Sequence, residues 1–173
     1  VKTNDGNFVV AGTSGSTNGD VTGNKGGTDY CIIKIAGANG NLIWNKSYGG
    51  TSTDEAAEIR NTADGGFIVA GYSWSNDIDV TSNKGNCDYW ILKIDSTGNK
   101  QWQKSAGGNN YDYGTSVFPV IGGGYIVAGL SSSTTGDVTG NHGSYDYWAI
   151  KLNNTGDTIE WQKSYGGIAS DQA

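Results

Sequence analysis

An all-β fold is predicted for this chain, and three observations predict it. The first is repetition. One unit of about 58 residues is written three times, the mark of a repeat architecture. Asn7-Phe8-Val9-Val10-Ala11-Gly12 returns as Gly66-Phe67-Ile68-Val69-Ala70-Gly71 and as Gly124-Tyr125-Ile126-Val127-Ala128-Gly129. Asp29-Tyr30-Cys31-Ile32-Ile33-Lys34-Ile35 returns as Asp88-Tyr89-Trp90-Ile91-Leu92-Lys93-Ile94 and as Asp146-Tyr147-Trp148-Ala149-Ile150-Lys151-Leu152. Trp44, Trp102 and Trp161 follow at matching places, each ahead of a Gly-Gly pair. The second observation is composition: 29 Gly, 10 Tyr and 6 Trp against one Pro in 173 residues. Aromatic and β-branched side chains suit half-buried pleated surfaces, and Gly, Asn, Asp and Ser supply turns. The third is period. Short apolar runs alternate every second residue, and no helical period persists beyond a couple of turns.

The second copy serves as the pattern for each element. Asp54 to Thr62 is a first strand, and Ala63-Asp64-Gly65-Gly66 turns the chain tightly. Phe67 to Tyr72 is a second strand, with Ala-Gly at its end in every copy to let neighbouring sheets approach. A polar loop runs from Ser73 to about Cys87. Asp88 to Asp95 is a third strand; Trp90, Leu92 and Ile94 share one face, and Tyr89, Ile91 and Lys93 the other. Both faces carry bulk, so both are expected to lie under neighbouring sheets. Ser96-Thr97-Gly98-Asn99 is a turn. Lys100 to Ala106 is the fourth strand, with Trp102 wedged between units, and Gly107-Gly108 leads onward. Pro119 interrupts the first strand of the third copy, which fits an edge or a bulge.

Four short strands joined by turns form a meander, which cannot bury two apolar faces alone. Sheets of this kind stacked face to face around an axis make a β-propeller, typically of four to eight blades. The expected fold is therefore a β-propeller of four-stranded antiparallel meander blades, three in this chain. The repeats run over about 1–58, 59–116 and 117–173 as one continuous segment. A β-sandwich with accidental self-similarity is the alternative. Ala173 aligns with Ala56 and Val1 with Arg60, so the chain opens inside a first strand. The expectation is either a window from a longer array or a ring closed by sister chains. In such a ring Asp171-Gln172-Ala173 of one copy continues the strand begun by Val1-Lys2-Thr3 of the next. A start at Val1, with no Met and no signal peptide, reads as a processed product, an excised piece or the ordered part of something longer.

The strings Asp-Gly-Gly-Phe-Ile-Val-Ala-Gly-Tyr-Ser (64–73), Gly-Asp-Val-Thr-Gly-Asn-His-Gly (136–143), Asp-Tyr-Trp-Ala-Ile-Lys-Leu (146–152) and Trp-Gln-Lys-Ser-Tyr-Gly-Gly (161–167) resemble the repeats of secreted β-propeller proteins of Bacteroidota. The likeness covers the whole chain. It implies export by type IX secretion, an extracellular or cell-surface location, and a structural, protein-interaction or adhesion role. No sorting domain is present in these residues.

The formal net charge of −6 argues against nucleic acid, whose phosphates demand a basic footprint. Nothing approaches the roughly 20 apolar residues of a membrane helix. Cys31 and Cys87 occupy different slots of the repeat, so they read as free thiols.

Candidate sites fall into slots that repeat and slots that do not. The loop between the second and third strands carries Asp20, Asn24 and Asp29, then Asp79, Asn83 and Asp88, then Asp137, Asn141 and Asp146. Two carboxylates and an amide at fixed separations can offer oxygens to Ca²⁺. The alternative is that these side chains hold the loop by bonding its backbone. Asp54, Asp112 and Asp171 follow each Gly-Gly and either bind cations or accept backbone N–H groups there. Lys34, Lys93 and Lys151, inside the third strand, suggest a carboxylate on a neighbouring unit or a snorkelling stem. His142, the only histidine, has no metal-binding companion in the sequence and reads as a solvated loop residue. Trp74, Tyr111, Tyr113 and Tyr145 lie in loops or at loop edges and do not repeat as aromatics. Aromatic platforms beside Asn and Asp suit sugar rings, which makes these four the candidate ligand residues. Ordinary packing over sheet edges is the alternative. With no acid–base pair outside the repeating slots and no nucleophile beside a base, the chain reads as non-catalytic. Two readings of function follow: an interaction scaffold, or a lectin-like module.

Overall fold

The computed structural model describes residues 1–171 and shows eleven strands and no helix among them. The strands form three antiparallel sheets in which chain neighbours are sheet neighbours. The first sheet holds β1 (Phe8–Ser14), β2 (Asp29–Ile35) and β3 (Leu42–Tyr48). The second holds β4 (Asp54–Asn61), β5 (Phe67–Ser73), β6 (Asp88–Ile94) and β7 (Lys100–Ala106). The third holds β8 (Asp112–Pro119), β9 (Tyr125–Ser131), β10 (Asp146–Leu152) and β11 (Ile159–Tyr165). The strands of the second copy lie within one residue of the bounds expected from alternation. Each first strand straddles a repeat boundary counted from Val1, so sheets and repeats differ in phase.

Register repeats with the sequence. Phe8 faces Ile35, Phe67 faces Ile94 and Tyr125 faces Leu152. Bulges recur at Lys34/Ile35, Lys93/Ile94 and Lys151/Leu152, and in the first strands at Ala56/Glu58 and Gly114/Ser116. Such bulges bend and twist a strand. Pro119 is the last residue of β8, an edge strand, where no ladder donor is needed. In the first sheet, Val1 and Lys2 stand where β4 and β8 stand in the others: Lys2 bridges Phe8, and the Val9 N–H donates to the Val1 carbonyl at 2.9 Å. Whether Gln172 and Ala173 continue a strand lies outside the described residues.

The sheets stack in chain order, and the core is the filling between them. Val9, Tyr30, Ile32 and Tyr48 of the first sheet meet Phe67, Val69, Trp90, Leu92 and Ile94 of the second. The other face of the second sheet, with Ile68, Ala70, Tyr89 and Ile91, meets Val117, Val127, Trp148 and Ile150 of the third. Every residue of β6 is consequently buried, which explains the bulk on both its faces.

The two junctions are built alike. The Tyr30 hydroxyl donates to the Trp90 carbonyl at 2.8 Å, and the Tyr89 hydroxyl to the Trp148 carbonyl at 2.9 Å. Each ring lies tilted against the indole it reaches, with centroids 4.4 and 4.7 Å apart. The hydroxyls pass beside Gly71 and Gly129: a Cβ on either would come within 2.5 and 2.9 Å of the tyrosine oxygen. Glycine in this slot leaves room for the tyrosine hydroxyl and, closer still, for the Glu55 and Tyr113 carbonyls of the adjoining first strands, 2.0 Å from where a Cβ would lie. Trp102 reaches the next sheet, 5.6 Å from Tyr125 by ring centroids, and Trp44 lies against the Gly98 turn. Cys31 and Cys87 are free and buried.

Candidate functional site

The polar loops entering β2, β6 and β10 spend their side chains on themselves and on the preceding sheet. Asn83 Nδ2 donates to the carbonyls of Ser73 and Ser75, and its Oδ1 accepts the Gly85 N–H. Asn141 repeats this with the Ser131 carbonyl and the Gly143 N–H, whereas Asn24 donates forward to the Gly27 carbonyl while accepting the Gly26 N–H. Asp29, Asp88 and Asp146 accept the backbone N–H four residues earlier, at 2.8–2.9 Å. Asp79 and Asp137 reach backward instead. Asp79 pairs with Lys25 of the first sheet at 3.1 Å, and Asp137 with Lys84 of the second. Asp20, in the same slot of the first loop, is exposed. Among the described residues no group of three or more His, Cys, Asp or Glu side chains is placed to hold a metal ion.

The Gly-Gly links are tied by the acidic slot that follows them. The N–H groups of Gly50, Gly108 and Gly167 donate to Asp54, Asp112 and Asp171 at 2.8, 2.8 and 2.9 Å. Under each link two carboxylates converge. A Cβ on Gly107 would lie 2.5 Å from Asp112 Oδ2 and 2.6 Å from Asp88 Oδ1. Burial, with the Asp112 charge adding to it, pushes Asp88 up to about 7, so that one proton is readily held there. The strand lysines find carboxylates on their own sheet, not on a neighbouring one. Lys34 meets Asp5, Lys93 meets Asp64 at 2.8 Å, and Lys151 meets Glu160. The hairpin turn after the first strand supplies Asp5 and Asp64; Gly122 replaces that aspartate in the third copy. His142 Nδ1 lies 2.9 Å from Asp146 Oδ2, so it is tied to the loop it stands in.

The residues that break the repeat converge. Trp74 follows β5, Tyr111 precedes β8, Tyr113 is its second residue, and Tyr145 precedes β10. All four lie at the same end of the second and third sheets. Tyr113 is the hub, with ring centroids 6.1 Å from Trp74, 6.2 Å from Tyr111 and 6.1 Å from Tyr145. Tyr72 completes the cluster, edge-on to Tyr113 at 4.9 Å and to Trp74 at 5.4 Å. Its hydroxyl donates to Glu55 at 2.8 Å. Burial raises the Tyr72 phenol well above its ordinary range, and the Glu55 carboxylate adds to the effect. Burial likewise pushes Tyr113 up to about 12. These phenols stay protonated and can act as donors at neutral pH.

Tyr111 stacks parallel on Tyr113, with 7° between the planes, and Tyr145 tilts against it at 35°. Tyr111 is 37% exposed. Trp74 shares a depression of about 410 Å³ with Gly27, Ser52 and Thr53, at the junction of the first two sheets. A flat apolar face flanked by hydroxyls, a backbone turn and a nearby carboxylate can hold a ring that has both C–H faces and hydroxyls. Tyr72 and Glu55 are missing from the sequence-derived set. Tyr72 reads as an ordinary strand residue, and its only signal is that Thr13 and Leu130 occupy the same slot. A comparison with models of known protein families and with curated proteins finds no match for this chain.

Proposed function

We propose that this chain is a non-catalytic, extracellular β-propeller repeat module serving as a structural, protein-interaction or adhesion scaffold. One observation carries the reading: the same junction of tyrosine hydroxyl, glycine and indole is built twice, between three meander sheets. A fold that spends its repeated residues on packing sheet against sheet leaves few for chemistry. Asp29, Asp54, Asp88, Asp112 and Asp146, which would otherwise be acid–base candidates, are buried beneath the Gly-Gly links. Location at the cell surface of a Bacteroidota cell, through type IX secretion, belongs to the same proposal and rests on the resemblance of the repeat strings. Fractionation of native cells tests it: the chain is expected in the surface and medium fractions, and recovery from the cytoplasm alone would overturn it. Turnover of glycosidase, peptidase and esterase substrates is expected at background.

A second reading, a lectin-like carbohydrate-binding propeller, is favoured by the aromatic cluster. Trp74, Tyr111, Tyr113 and Tyr145, drawn from three separate segments, gather at one end of the stack. A glycan array separates the readings. A defined sugar preference that Trp74→Ala abolishes supports the lectin; uniform background supports the scaffold.

A further inference from the structure

We propose that the two outer faces of the stack bind one another between copies, so that the third sheet of one chain seats Trp161 and Tyr165 on the Gly12 and Gly40 face of a second copy. The inference rests on the reading of the chain as a stack of propeller-like sheets, and it names the partner of that stack.

The internal junctions define what each face must carry. On the forward face are a third-strand tyrosine, a fourth-strand tryptophan and, in the first sheet, Tyr48. On the receiving face are the second-strand glycine and the turn glycine after the third strand. Tyr30 meets Gly71 and Tyr89 meets Gly129; Trp44 lies on Gly98 and Trp102 on Gly156; the Tyr48 hydroxyl donates to the Gly98 carbonyl. The outermost members of both sets are present and displayed. Trp161 and Tyr165, which stand in the slots of Trp44 and Tyr48, are 40% and 58% exposed. Gly12 and Gly40, which stand in the slots of Gly71 and Gly98, have nothing within 4 Å of where a Cβ would lie. Around Gly12, Phe8 and Val10 are 40% and 45% exposed, whereas their equivalents Phe67, Val69, Tyr125 and Val127 are all buried.

Polar pairing across the junctions follows the same order. Lys25 reaches Asp79 and Lys84 reaches Asp137 across the internal junctions. The corresponding slots put His142 on the forward face and Asp20 on the receiving one. The two outer faces therefore continue an interface already built twice, and they differ from each other. Such a contact is heterologous, and it closes only if the rotation returns to its start. Two copies supply six sheets, inside the usual four to eight of a propeller.

Light scattering of the full chain over a concentration series gives the first readout, and the mass is expected to rise to that of two chains. Two variants then dissect the contact. Gly12→Leu fills open space on the receiving face, and Trp161→Ala with Tyr165→Ala trims exposed rings on the forward face. Both are expected to retain the circular dichroism and urea midpoint of the wild-type monomer. Each alone is expected to stay monomeric. Mixed, each contributes its one intact face, and a one-to-one heterodimer is expected. A wild type that stays monomeric at its highest soluble concentration overturns the proposal. So does self-association that persists in either variant, or a mixture that fails to pair. A folded wild-type monomer would leave the internal stack intact, whereas loss of the Tyr30–Gly71 contact in solution would remove the stack itself.

Discussion

Gly71→Ala adds one methyl group at the centre of a junction. At Gly71 the new carbon would lie 2.5 Å from the Tyr30 hydroxyl oxygen and closer still to the Glu55 carbonyl of the same sheet. That is roughly 1 Å short of a comfortable carbon–oxygen separation. Tyr30 cannot recede: it is fully buried, tilted against Trp90 and bonded to the Trp90 carbonyl at 2.8 Å. Overpacking of this kind costs typically about 1–3 kcal/mol, and loss of the tyrosine bond adds about 1 kcal/mol. Replacing Gly in a strand returns roughly 0.5–1 kcal/mol through chain entropy. The net expectation is a loss of about 1–3.5 kcal/mol, a large share of the 5–15 kcal/mol typical of a domain. Gly12→Ala is the internal control, because the same substitution in the same slot meets open space and is expected to be neutral or slightly stabilising. Urea denaturation, read by tryptophan fluorescence at a dilution that keeps the chain monomeric, gives both values. Agreement of the two variants within about 0.5 kcal/mol would refute the argument that second-strand glycine exists to admit the tyrosine.

Four further outcomes are expected. Tyr89→Phe, which removes the buried 2.9 Å bond to the Trp148 carbonyl, is expected to lower stability by about 1–2 kcal/mol with an unchanged urea slope; an unchanged midpoint would count against that bond. Asp88 has its folded pKa raised to about 7, so its contribution to stability is complete below its unfolded value near 4 and is lost as pH rises through 7. Asp88→Asn, uncharged throughout, is expected to gain on the wild type between about pH 4 and 7 by on the order of a few kcal/mol; parallel stability–pH curves would contradict this. Asp64, held down at about 2 chiefly by Lys93 against a burial effect that opposes it, works in the other direction, and what it contributes fades as pH falls from about 4 toward 2. Ile78 stands at φ 56°, where the other loops place Gly19 and Gly136, and it is 58% exposed. A β-branched residue there is strained, so Ile78→Gly is expected to raise stability by about 0.5–1 kcal/mol, read as a higher urea midpoint; a lower midpoint would mean that the side chain holds the loop.

Much of this architecture is legible in the repeat because alternation and turn residues are local. Phe67–Ser73 and Lys100–Ala106 follow directly from period two between Gly-rich turns. What lies between sheets is not local. The sequence shows Tyr30 and Gly71 as members of separate repeats, and only the stack shows that one makes room for the other. The lysines illustrate the same limit. Lys93 in a strand asks for a carboxylate, but that it comes from the hairpin turn at Asp64 depends on the path of the backbone. Asp79 resembles a loop ligand in sequence, yet it pairs with Lys100 of its own sheet and with Lys25 across a junction. The aromatic cluster was accessible through the breaks in the repeat at Trp74, Tyr111, Tyr113 and Tyr145. Tyr72 and Glu55 escaped because strand position and repeat slot account for them without any cluster.

The most direct test of the stacked-sheet account is a nuclear Overhauser spectrum of the protein with Tyr30, Gly71, Tyr89 and Gly129 assigned. Close stacking predicts ring-to-α-proton cross-peaks for Tyr30 with Gly71 and for Tyr89 with Gly129. Their absence, in a chain that keeps its strand ladders, would mean that the three meanders do not pack on one another as described.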